Sequence, residues 1–184
     1  MGRLSLGNGA DFVGGSGGYL SDAPAGTILQ LVRAETTANT SGNTAIPRDN
    51  TIPQNTEGFE VLTCSITPVS ALSKLYIVST IYAGEASNGT NDLCAALFRD
   101  STASAFAASY GGIIDANAHE TGAPLYTSAY INSNSTSTTT IKVRIGPSAA
   151  AGSIILNIAT GNVRTYPVLG GVYASSITIM EVAQ

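Results

Sequence analysis

The chain has 184 residues, long enough for one domain with a sizeable core. Its hydrophobic share of 43% excludes generic disorder, and its charged share of 11% lies well below the roughly 25% usual in soluble domains, so the surface must be built from Ser, Thr, Asn, Gly and Ala. A net charge of −4 with two lysines, Lys74 and Lys142, leaves no basic stripe for nucleic acid, and no run approaches the about 18 apolar residues of a membrane-spanning helix.

Residues 1–20 carry seven glycines, interleaved with Leu4, Leu6, Phe12, Val13, Tyr19 and Leu20. Ordering glycine costs more backbone freedom than ordering any other residue, so such a tract needs something to hold it. Residues 1–26 are therefore expected to form an extended arm laid along a partner, with those apolar side chains and Arg3 as its contacts. The alternative is an arm folded back on its own domain. Arg3 is not followed by a continuous apolar stretch, so no secretory signal is expected. Leu6 stands where a myristoylation motif wants Ser or Thr.

From residue 27 onward, short β-branched runs alternate with turns, and a 3.6-residue period never persists. Thr27–Ala34 is the first predicted strand. Glu35–Asn55, rich in Thr and Asn and carrying Pro47 and Pro53, is a long loop or a pair of edge segments. Strands are predicted over Gly58–Thr67, Lys74–Ala83, Asp92–Arg99, Ala103–Tyr110, Ala123–Ile131, Thr138–Ile145, Ser153–Ile158 and Ala174–Val182, with an Asn-Gly turn signal at Asn88–Gly89. In Thr138–Ile145 the apolar Ile141, Val143 and Ile145 fall on one face and Thr140, Lys142 and Arg144 on the other, the mark of a half-buried antiparallel strand. About 8–10 short strands at regular spacing predict an all-β fold, an antiparallel jelly-roll sandwich over residues 27–184. Cys64 and Cys94 each lie in a strand-like run and read as two buried apolar thiols rather than a disulfide framework.

No motif assembles a catalytic site. Gly14–Gly18 matches a nucleophile-elbow string but lacks the strand and helix that such a turn needs. His119 is the only histidine and no serine is singled out to join it with Asp92, Asp100 or Asp115. Asp115-Ala116-Asn117 starts like a calcium loop, but His119 and Glu120 occupy the third-ligand and glycine positions, so no metal is expected. No cofactor motif is present: Gly7-Asn8-Gly9 does not extend to a dinucleotide fingerprint. The tyrosines, including Tyr76, Tyr82, Tyr110, Tyr126 and Tyr130, fall mostly within predicted strands and are expected to be core or subunit-interface residues.

Three segments carry a resemblance. Ala95–Ala107 (AALFRDSTASAFA), Thr138–Ile145 (TTTIKVRI) and Leu169–Val182 (LGGVYASSITIMEV) resemble small β-sandwich modules of tailed bacteriophages. These are jelly-roll, tumour-necrosis-factor/C1q-like trimers found in head decoration proteins and at fibre tips. The resemblance covers roughly residues 58–184, and Asn157–Asn162 departs from the tighter turn of many relatives. It implies a homotrimer.

Two functions of different class follow as expectations. The first is a capsid decoration or cement protein on the virion exterior, made in the host cytoplasm, whose arm and underside bind the major capsid protein. Met1 reads as the start of a complete short chain, and the absence of collagen triplets, heptads or long repeats argues against a fibre shaft. The second is a fibre-tip module recognising a host glycan through outer loops, with Asn88, Asn91, Asp92, Tyr110, Asp115, His119 and Tyr126 as candidate contacts. A hydrolase is disfavoured because the acidic residues are scattered. Neither nucleic acid nor membrane insertion is expected.

Overall fold

The computed structural model describes Leu4–Ser5 and Asp11–Phe12, then residues 23–85, 92–112, 122–149, 152–157, 169 and 172–184. Its regular structure is β throughout, with no α-helix among the described residues. In the N-terminal stretch β1 (Leu4–Ser5) and β2 (Asp11–Phe12) form an antiparallel pair with Leu4 opposite Phe12. The sandwich then begins with β3 (Ile28–Thr36) and a short β4 (Ser41–Gly42). It continues through β5 (Phe59–Ile66), β6 (Lys74–Glu85), β7 (Asp92–Arg99), β8 (Ala107–Gly112) and β9 (Gly122–Asn132). It ends with β10 (Thr139–Pro147), a three-residue β11 (Ile154–Leu156) and β12 (Ser175–Val182).

Every pairing among these strands is antiparallel. One sheet runs β5-β10-β7-β8. In the other, β12 lies between β3 and β6. β9 pairs β6 over the same residues as β12 does, so it occupies the opposite edge and the order is β3-β12-β6-β9. β11 and β4 extend this second sheet past the end of β12. The chain is thus an all-β antiparallel sandwich, as its turn-punctuated β-branched runs predict.

The core forms where inward residues of both sheets meet. Leu62, Cys64, Leu93, Ala95, Leu97, Ile141, Val143 and Ile145 come from the first sheet. They face Leu75, Ile77, Ile81, Leu125, Ile177 and Ile179 from the second. The alternation read in β10 is present: Ile141, Val143 and Ile145 are fully buried, while Thr139–Arg144 places Thr140, Lys142 and Arg144 on the half-exposed side. Cys64 and Cys94 are buried and unbridged, as expected.

β7 departs from simple alternation, because Leu93 through Phe98 are all buried. Their second face is roofed. Residues 43–57, part of the stretch read as a long polar loop, cross over β10 and β7 and drop Ile46 onto Cys94, Ala96 and Phe98. Backbone bonds fasten the roof, from Ile46 N–H to the Pro147 carbonyl and from Ala105 N–H to the Pro53 carbonyl. The approach is close enough that a Cβ on Gly146 would stand 2.4 Å from the Thr44 carbonyl oxygen. This roof also explains why β8 starts at Ala107 rather than Ala103: Ala103 and Ala105 bond to Asn55 and Pro53 instead of to β7.

One end of the sandwich is closed around a buried carboxylate. Glu181 of β12 is fully buried. It accepts hydrogen bonds from the Val69 and Ser70 backbone N–H groups, from Ser73 Oγ at 2.6 Å and from Gln30 Nε2 at 2.6 Å. Desolvation pushes its pKa up, but these donors outweigh that and hold it below the ordinary value of 4.5. The turn leading from β5 into β6 is therefore pinned to the last strand.

Candidate interaction surfaces

Strand parity sends alternate residues of β3, β12, β6 and β9 away from the core. Cross-strand register then aligns Leu31, Met180, Tyr76 and Tyr130 in one row. At about 4.8 Å between strands this belt spans about 15 Å across the sheet. Leu31 is 55% exposed, Tyr76 41% and Tyr130 52%, and the two tyrosine rings meet edge-on with centroids 6.3 Å apart. Ile28 and Tyr126 add exposed apolar surface on the same face. Its charges are already engaged: Arg33 pairs with Glu35 at 3.2 Å, and Lys74 sits over the Tyr130 ring at 5.7 Å. Tyr76, Tyr126 and Tyr130 are therefore not core residues, whereas Tyr82 is half-buried against Tyr173. The face is weakly charged and carries an apolar belt, and among the described residues no segment roofs it.

A second feature lies on the other side of the molecule. The roof segment and β8 enclose a cleft of about 180 Å³ whose floor is Cys94, Ala95 and Ala108. Arg48 Nη1 lies 2.5 Å from Asp92 Oδ2, and the same guanidinium stands 5.3 Å from the centre of the exposed Tyr110 ring. Across the cleft Asp49 Oδ1 accepts the Thr51 N–H and hydroxyl, and these bonds hold its pKa below the ordinary carboxylate value. The Cys94 thiol is pushed up to about 11 by burial, with the nearby Asp92 adding and Arg48 opposing. It is a packed thiol, not a nucleophile.

Of the residues singled out in the sequence, Tyr110 lines this cleft, and Asp92, on the paired strand β7, reaches it only through its ion pair with Arg48. Tyr126 does not join them, because it projects from the outer face of the opposite sheet. Asn88, Asn91, Asp115 and His119 lie outside the described residues, as do Arg3, Leu6, Val13, Tyr19 and Leu20. Leu4 and Phe12 are described only as backbone partners in the β1–β2 pair. Sequence reasoning missed Arg48 and Asp49. Their signal was an opposite-charge pair beside Pro47 inside an otherwise weakly charged stretch.

Arg144 and Arg99 are structural. Arg144 donates to the Glu57 and Gly58 carbonyl oxygens at 2.7 Å each, and Arg99 to those of Asn132 and Ser133. Among the described residues no three His, Cys, Asp or Glu side chains converge as a metal site. No model of a known protein family matches the chain, and no curated protein matches it either.

Proposed function

We propose that this chain is a structural, non-catalytic virion protein: a homotrimeric jelly-roll module that decorates the outer capsid surface and cements neighbouring shell subunits. The strand orders β3-β12-β6-β9 and β5-β10-β7-β8 support this reading, since a jelly roll places its eight strands in two four-stranded antiparallel sheets. The observation that carries the assembly reading is the belt of Leu31, Met180, Tyr76 and Tyr130 on a weakly charged sheet face that none of the described residues roofs. Apolar surface of this kind on a weakly charged protein marks an interaction site. Three copies around an axis bury it with each belt meeting two others, and the number three comes from the resemblance. The resemblance of Leu169–Val182 and its companion segments to phage β-sandwich modules supplies the virion context. Residues 1–20 are the proposed attachment element, each buried apolar side chain contributing about 1.5–3 kcal/mol before ordering costs.

The test is binding of purified protein to undecorated capsids, with occupancy read by electron microscopy. Regular occupancy at threefold or quasi-threefold lattice points is expected. Deleting residues 1–20 should leave a folded trimer that no longer binds. Density only at the tail would replace the cement reading with the fibre-tip one.

A further inference from the structure

We infer that the cleft between the roof and β8 is a binding site for a single neutral sugar ring, separate from the assembly face. Its form suits that ligand. Tyr110 is 63% exposed, too large an aromatic surface to be explained by packing, and it stands at the rim of a concave site. The C–H face of a pyranose stacks on an aromatic ring, while its hydroxyls need donors and acceptors fixed around the edge. The cleft provides both. The Arg48 guanidinium, held from behind by Asp92, donates, the Asp49 carboxylate accepts, and Thr51 lines the wall.

Charge narrows the ligand class. Arg48 is already paired with Asp92, and Asp49 adds a second carboxylate. An anionic ligand such as a phosphate or sialic acid would meet net negative charge. Size narrows it further: pockets for drug-sized ligands run to about 300–1,000 Å³, so this cleft takes one ring at a time. Its walls are also held in place. Asp49 is oriented by Thr51, and the Pro53 and Ile46 backbones are bonded to Ala105 and Pro147. Binding therefore does not have to order the loop first.

The test is saturation-transfer NMR on the full chain with methyl glycosides of glucose, galactose, mannose and rhamnose, and sialyllactose as the anionic counter-probe. Saturation of at least one neutral glycoside is expected, with affinity falling about tenfold or more in Tyr110→Ala and in Asp92→Asn. Leu72→Ser, at an exposed position in the turn pinned by Glu181, should bind like the parent chain. Thermal melting of each variant separates loss of binding from loss of fold, and both cleft substitutions touch exposed or half-exposed side chains. Silence from all four neutral glycosides, preference for sialyllactose, or unchanged binding in both cleft variants would overturn the inference. Capsid binding is scored separately, so either proposal can fail alone.

Discussion

On the β5-β10-β7-β8 sheet, the outward residues Cys94, Ala96 and Phe98 lie under Ile46 and the roof of residues 43–57. On the β3-β12-β6-β9 sheet, the equivalent outward row of Leu31, Met180, Tyr76 and Tyr130 meets solvent. Both rows are apolar, yet the described residues cover only one of them. Exposed apolar surface on a chain with few charged residues is the kind that binds another surface, and the proposed assembly rests on this row. The roofed row instead supplies a second small core and, at its margin, a cleft.

The largest expected effect is on the roofed side. Phe98→Ala empties the position beneath Ile46 and should cost about 3–5 kcal/mol, read by urea denaturation. A loss below about 1 kcal/mol would mean that the roof is not packed as described.

Next comes the latch that holds the open sheet to its neighbouring turn. Glu181→Gln removes a charge that four donors surround and should cost about 1.5–3 kcal/mol at neutral pH. Because the folded-state pKa is depressed, the parent chain has this stabilisation in full above the unfolded value and loses it as pH falls through the lower folded value. Denaturation from pH 7 down into the acid range should show a slope beginning near 4.5 that flattens in the variant. An identical slope in both would remove Glu181 from the account.

The smallest effect on folding, and the sharpest on assembly, belongs to the open face. Tyr76→Ser should change chain stability by under about 1 kcal/mol, since its ring lies largely outside the core. Sedimentation should nevertheless shift from trimer towards monomer. Unchanged association would place the subunit contact elsewhere.

The contrast between the faces was only half legible in the sequence. β10 alternates apolar with polar residues, so its inward face could be read directly. β6 does not: Leu75 and Ile77 occupy one parity, Tyr76 and Val78 the other, and both are apolar. Period alone cannot say which set is core, and so the tyrosines read as core or subunit-interface residues without a choice between the two. β7 posed the converse problem, since Asp92–Arg99 reads as buried on both faces without naming what covers the second. The cover came from Ile46, a lone apolar residue in a polar, proline-bearing stretch. The cleft was hidden for the same reason. Asp92 and Tyr110 lie on neighbouring strands, paired with Gly112 and Cys94 respectively, in a ladder that sequence can suggest, but Arg48 arrives by a tertiary crossing some 44 residues upstream of Asp92. Glu181 was signalled only by being the one charge in an apolar closing strand.

The placement of β12 has a consequence in time. It comes last in chain order, yet it fills the slot between β3 and β6, and Gln30 waits 151 residues for its hydrogen-bond partner Glu181. During synthesis β3 has no ladder partner in its own sheet until β12 emerges. The vacant slot leaves two strand edges and the apolar Ile77 row open to any passing extended segment. Closure of this sheet is therefore a late, long-range event in the folding of the sandwich.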